Sequence, residues 1–296
     1  MPSTFSRITT QAQALRKKTI ERLCGVTLHG DLQERYVDWN LSLPLGKKRE
    51  ERLRIIRDTG VLFIHVPKNA GSAITQDLYG CRMRHESIRY YLRHAPDLVY
   101  TLPSFALWRD PVERFLSAYD FIRNGGGSEI RLHPDFVKHY ADLTTLDRMI
   151  EFVAGASSIY KLDHVLRPQT WYLTDRQGNF AIQMLFDMKD INHLHALVPG
   201  LRQGNVRRFN TTQRFTTQIP QSQKDKIISL YKDDYQLQAY IKPVHAYSAT
   251  ARPVLPTHNA AALSADIQST GAFVIPTEPA LAFSAALSAN TIAAQR

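Results

Sequence analysis

His65-Val66-Pro67-Lys68-Asn69-Ala70-Gly71-Ser72 lies between the apolar run Val61–Val66 and the segment Ala73–Tyr79. A short apolar run followed by a polar loop and a helix-forming stretch that stops at Gly80 predicts strand, loop and helix in that order. Such a loop turns backbone N–H groups and the positive end of a helix dipole towards an anion, and Lys68 adds a full charge and Ser72 a hydroxyl. Pro67 to Ala73 therefore reads as a phosphate cradle, although the loop alone would also suit an ordinary strand-to-helix turn. Residue order separates it from a Walker A loop, which needs Lys directly ahead of Ser or Thr after a glycine. Here Lys68 precedes Gly71 and no Gly-Lys-Ser or Gly-Lys-Thr occurs, which disfavours a kinase or ATPase of that type.

A second unit repeats the plan. Ser104–Trp108 predicts a buried strand, and Asp110, Pro111 and Glu113 supply the cap, first position and third position of a helix. Val112, Phe115, Leu116 and Tyr119 make an apolar stripe at helical spacing. Arg109 stands at the carboxyl end of the strand, where open α/β sheets bind ligands. Ser117 follows about two turns into the helix, so the two could grip one phosphate from two sides. Leu146, Met149, Ile150 and Val153 predict a further helix, and Gln223 to Tyr240 predicts one long helix. Alternating strands and helices imply an α/β fold, a central parallel sheet flanked by helices.

Composition sets the outer bounds. The 296 residues are 44% hydrophobic and 22% charged, as expected of a chain with a real core, and 37 Lys and Arg against 27 Asp and Glu give +10. That balance favours anionic partners without choosing among nucleotides, acidic glycans, nucleic acid or a membrane surface. Cys24 and Cys81 stand far apart and fit neither a disulfide framework nor a zinc motif, while His193 and His195 read as a polar turn rather than a metal pair. No apolar run approaches the roughly 20 residues that span a bilayer. Residues 1–57 form a basic, partly helical extension with room for peripheral membrane contact, 58–243 the α/β domain, and 244–296 a flexible tail of Ala, Ser, Thr and Pro whose only charges are Arg252, Asp266, Glu278 and Arg296. Asn124-Gly125-Gly126-Gly127-Ser128 reads as a loop tip or an acceptor-side lid.

Taken together, Pro67–Ala73 and Arg109–Tyr119 resemble the two nucleotide-binding motifs of the sulfotransferases that use 3′-phosphoadenylyl sulfate (PAPS): the 5′-phosphosulfate loop and the 3′-phosphate motif Arg-x-Pro-x-x-Arg-x-x-Ser-x-Tyr. Asp163–Leu173, with His164, Pro168 and Gln169, looks like the His-x-x-Pro-Gln region of the carbohydrate branch, and the stretch from Leu230 resembles its terminal helix. The similarity covers about residues 58–242.

The resemblance implies a three-layer P-loop-like fold and transfer of a sulfuryl group from PAPS to a hydroxyl of a carbohydrate or glycoconjugate, leaving adenosine 3′,5′-bisphosphate (PAP), without a metal. It implies that Lys68 stabilises the leaving group, that Pro67, Asn69, Ala70, Gly71, Ser72 and Ala73 hold the 5′-phosphosulfate, and that Arg109 and Ser117 bind the 3′-phosphate. Ala73 stands where the family has a hydroxyl residue, so the cradle has one hydrogen bond fewer. The base between the motifs is expected to be His85, with Glu86 and His94 nearby, and His164, Arg167 and Gln169 are expected to line the acceptor cleft. Nucleic acid is not an expected partner, and oligomeric state is not legible. Because Golgi members of the family carry an N-terminal membrane span, the resemblance also suggests a cytoplasmic, bacterial setting. The competing readings are a noncatalytic binder of anionic glycan and an atypical nucleotide-dependent kinase.

Overall fold

The structure is a computed structural model that describes residues 15–127, 130–198, 200–201 and 218–243. Strands β1 (Leu62–Ile64), β2 (Ser104–Trp108) and β3 (Met184–Asp187) form one parallel sheet in the order β1-β2-β3. Ile64 pairs with Ala106, and Trp108 with Asp187. All five residues of β2 are buried, as a central parallel strand covered on both faces requires. The sheet sets Val66 and Arg109, which leave β1 and β2, at neighbouring carboxyl ends.

The helices are α1 (Leu32–Asp38), α2 (Lys47–Thr59), α3 (Gly71–Tyr79), α4 (Ile88–His94), α5 (Pro96–Thr101), α6 (Pro111–Arg123), α7 (Pro134–Tyr140), α8 (Leu146–Ala154), α9 (Gln169–Leu173), α10 (Gln221–Leu230) and α11 (Lys232–Gln236). α3 ends at Gly80, φ 64°, a left-handed stop that glycine takes without steric penalty. α6 starts as its sequence predicts, with the Asp110 carboxylate accepting the Glu113 N–H at 3.0 Å. Helices and a small parallel sheet thus make the α/β architecture that the strand-loop-helix units predict.

One expectation fails. Gln223–Tyr240 is not a single helix: it breaks at Tyr231, φ −116°, between α10 and α11, and ends in a 3₁₀ turn over Leu237–Tyr240. The buried Tyr231 hydroxyl donates to the Leu166 carbonyl at 2.6 Å, while Asp234 turns in to the start of α9.

The main core wraps the sheet with side chains of α2, α3, α4 and α9, including Leu53, Ile56, Ile74, Leu78, Tyr91 and Tyr172. A second core joins α6, α7, α8 and α10 through Phe115, Phe136, Met149 and Ile227. From Ile20 onward the basic N-terminal region packs against the body, Leu28 entering the second core and Leu32 joining Tyr160 in a third cluster. Gly125 and Gly126 take positive φ in a tight turn closed by Gly126 against Arg131; Ser128, residues 1–14 and the expected tail 244–296 lie outside the described residues. No helix among the described residues is long and apolar enough to cross a membrane.

Candidate active site

The loop from Val66 to Gly71 carries two residues in the left-handed region, Lys68 at φ 69° and Ala70 at φ 57°. Such conformations are unfavourable for residues with a Cβ and survive only where surrounding bonds hold them. Here those bonds are visible. Asn69 is buried and donates to the Leu107 carbonyl at 2.7 Å and to Gln169 Oε1 at 2.7 Å. The Lys68 carbonyl accepts from Arg109 Nη1 at 3.0 Å, so the loops after β1 and β2 are tied directly together. Ala70 caps α3, whose first N–H groups have no acceptor within the helix.

Lys68 sends its ammonium over the Phe121 ring, 4.4 Å from its centroid. Burial, helped by the Arg109 charge, pushes its pKa down to about 8, against the pull of Asp120, with Arg114 adding to the depression. Pro67, Gly71 and Ala73 are buried, Ser72 and Ser117 are half-buried, and Ser117 lies on α6, the helix that also carries Asp120 and Phe121.

Gln169 is fully buried and works as a clamp. Its side-chain amide accepts the Arg109 backbone N–H at 3.1 Å and donates to the Arg109 carbonyl at 2.8 Å, pairing with that residue as a neighbouring strand would. Its backbone is fixed in turn by Asp234, whose carboxylate accepts the N–H groups of Gln169 and Thr170, each at 2.8 Å. Arg114, 1% exposed, donates to the carbonyls of Pro67, Val165 and Arg167. These groups set the shape of the loops. Arg114 lies inside the second motif and Asp234 inside the terminal segment, but nothing in their local pattern distinguishes a buried strut from a surface charge.

On the other side of the cradle three imidazoles stand in a row. His65 packs against His85, ring centroids 4.1 Å apart, and His85 meets His164 edge-on at 5.8 Å. His85 Nδ1 lies 3.0 Å from the His65 carbonyl. A carbonyl only accepts, so Nδ1 carries the proton and Nε2 holds the basic lone pair. Burial and the neighbouring imidazoles of His65 and His164 hold His85 well below the ordinary histidine value, and burial brings His65 down to about 4. Both rings are neutral near pH 7.

His164 Nε2 lies 2.7 Å from Asp31 Oδ1, and Arg167, fully buried, pairs with both oxygens of Asp31 and with the Leu162 carbonyl. Burial works against the Asp31 charge, but Arg167 and His164 outweigh it and hold the carboxyl well below the usual range. Asp31 was not among the residues that the sequence singles out. Its partners are more than 130 positions away, so no spacing could signal them.

Glu86 and His94 do not join this row. Glu86 faces Arg84 at 3.1 Å and Arg49 at 3.5 Å, and His94 packs on Tyr90. Ser87, the cap of α4, is held by Glu34. His195 bonds the Asn192 carbonyl in an exposed 3₁₀ segment. Among the described residues no group of three or more His, Cys, Asp or Glu side chains is arranged to hold a metal.

A family profile described as the sulfotransferase family matches residues 51–240, more than half of the chain and every element of the cradle, the clamp and the histidine row except Asp31. The chain belongs to the sulfotransferase family. No curated protein and no solved structure matches it. Pro67–Ala73 and Arg109–Tyr119, with the tied loops that carry Lys68 and Arg109, fall within the matched residues.

Proposed function

We propose that this sulfotransferase moves a sulfuryl group from PAPS to a hydroxyl of a carbohydrate or glycoconjugate, with His85 as the base. The observation that carries the reading is the bond from Arg109 to the Lys68 carbonyl, which joins two cationic loops at the carboxyl ends of adjacent parallel strands. The residues present fit a doubly phosphorylated donor. Burial, and after it the Arg109 and Arg114 charges, depress the Lys68 pKa against the pull of Asp120, and an anion beside Lys68 would offset both the burial and the repulsion.

The donor supplies a sulfuryl group already bonded to a phosphate that can leave. Lys68 would place its ammonium against the bridging and 5′-phosphate oxygens, where negative charge grows as the sulfur–oxygen bond breaks, a stabilisation that is strongest in a site shielded from water. Backbone N–H groups at the start of α3 and the Ser72 hydroxyl would hold the 5′ end, and Arg109 with Ser117 the 3′-phosphate. His85 Nε2 would take the proton of the acceptor hydroxyl as its oxygen bonds to sulfur, the leaving phosphate keeping the electron pair. The carbohydrate assignment is supported by the likeness of the segment around His164 and Gln169 to the carbohydrate branch.

The test is calorimetric titration of the full chain with PAP against ATP, followed by transfer from labelled PAPS to chondroitin, dextran and alkyl glucosides. The expected result is PAP binding weakened by about 1.5–3 kcal/mol in Arg109→Ala and turnover lowered by about 100-fold or more in Lys68→Ala. Wild-type protein indifferent to PAP would overturn the proposal.

A further inference from the structure

We propose that Asp31 is a positioning residue of this reaction, holding His164 so that its Nδ1 accepts a hydrogen bond from the acceptor substrate beside the His85 base. The inference rests on the transferase reading above. Asp31 lies ahead of the residues shared with the family, so the family pattern does not supply it.

The geometry can be followed from the cradle outward. Gly71 lies against His65, His65 against His85, His85 against His164, and His164 is bonded to Asp31. Asp31 is 1% exposed and stays ionised, so the 2.7 Å contact places a proton on His164 Nε2. In the neutral ring that leaves Nδ1 as a lone pair, the same logic by which a buried carboxylate fixes the tautomer of a catalytic imidazole. The backbone of His164 is pinned as well, its carbonyl accepting the Tyr172 hydroxyl at 2.9 Å.

A purely structural ion pair would not need the histidine. Arg167 alone reaches both oxygens of Asp31, and its contact to Oδ1 is 3.3 Å, longer than the 2.7 Å that His164 takes on the same atom. The His164 side chain is 15% exposed, in contrast to the fully enclosed Asp31–Arg167 pair. The arrangement therefore spends a buried carboxylate on orienting a ring that still meets solvent. Two histidines that meet edge-on, His85 offering its Nε2 and His164 the nitrogen not bonded to Asp31, suit an acceptor that offers one hydroxyl to His85 for deprotonation and another to His164 for alignment, as neighbouring hydroxyls of a sugar do.

The test compares Asp31→Asn, His164→Gln and the double variant with wild-type enzyme, using labelled PAPS and the acceptor panel above. His164→Gln leaves the Asp31–Arg167 pair in place, so it remains informative if Asp31→Asn folds poorly. The expected result is kcat lower by about 10-fold or more in each single variant with KM for PAPS unchanged, and a double variant no slower than the slower single. Nitrogen-15 spectra of the histidine side chains, assigned with His164→Gln, should show the Nε2-protonated tautomer in wild type and its loss in Asp31→Asn. Active wild type with His164→Gln within about twofold of it, or His164 protonated on Nδ1, would overturn the role of Asp31. Wild type that transfers nothing from PAPS would instead bring down the transferase reading and this inference with it.

Discussion

The imidazole of His65 fills the space that a side chain on Gly71 would need: a Cβ placed there would fall on Cδ2 and Nε2 of the ring. Gly71 is thus required by a close approach and not by an unusual φ, and the ring that demands it stands at the head of the histidine row. Gly71→Ala should destabilise the fold by about 1–3 kcal/mol through overpacking and weaken PAP binding. In a His65→Ala background the same change should cost clearly less. Thermal unfolding and PAP titration of the four proteins check this, and an equal penalty in both backgrounds would show that the ring is not the obstacle.

Lys68 predicts a pH dependence of donor binding. Its pKa is lowered to about 8 by burial and by Arg109, while the charged form is the one that holds a phosphate. Above that value the lysine must take up a proton as PAP binds. Affinity for PAP should therefore fall as pH rises through about 8, and calorimetry in buffers of different ionisation enthalpy should register the uptake. Lys68→Arg, whose charge does not titrate in this range, should remove the proton uptake; its persistence would assign it to another group.

The base gives a different limb. Because burial and the flanking imidazoles hold His85 well below 6.5, the acid side of the kcat profile should lie below the ordinary histidine value, and activity should persist into mildly acidic solution. His85→Gln should lower kcat by about 100-fold or more and abolish that limb. A limb at the same place in His85→Gln would move the base elsewhere.

What was legible in the sequence was what is encoded locally. The Asp110 cap, the buried strand Ser104–Trp108 and the Lys68 loop each depend on neighbours within a few positions. β3 is four residues long, half-buried at both ends, and its run has no alternation to announce it. Gln169 stands out in the sequence as an acceptor contact, yet its amide is occupied by the Arg109 backbone and Asn69. Glu86 and His94 are near His85 along the chain, but their side chains are engaged elsewhere, Glu86 with Arg84 and Arg49 and His94 on Tyr90. Asp31 and Asp234 act across separations of 64 to 136 positions, which no periodicity carries.

Glu34 makes the last prediction, one about stability. Its carboxyl is buried and receives the Ser87 N–H at 2.6 Å and pairs with the Ser87 hydroxyl at 2.7 Å. Burial, and after it the neighbouring Glu86 carboxylate, push its pKa from 4.5 up to about 7, against the Arg89 charge and the Ser87 bonds. A carboxyl raised in the folded state contributes stability that is complete below its unfolded value and is lost as pH rises through its folded value. The native protein should therefore forfeit the Glu34 contribution between pH 4.5 and about 7. Glu34→Gln keeps an oxygen for the Ser87 N–H and gains a donor for the hydroxyl, with nothing to ionise. Its stability relative to wild type should rise across that window by on the order of 1–3 kcal/mol. Denaturant unfolding of both proteins at acid, neutral and mildly alkaline pH measures the difference directly. A difference that does not change with pH would mean that Glu34 stays ionised in the fold, its charge carried by Arg89.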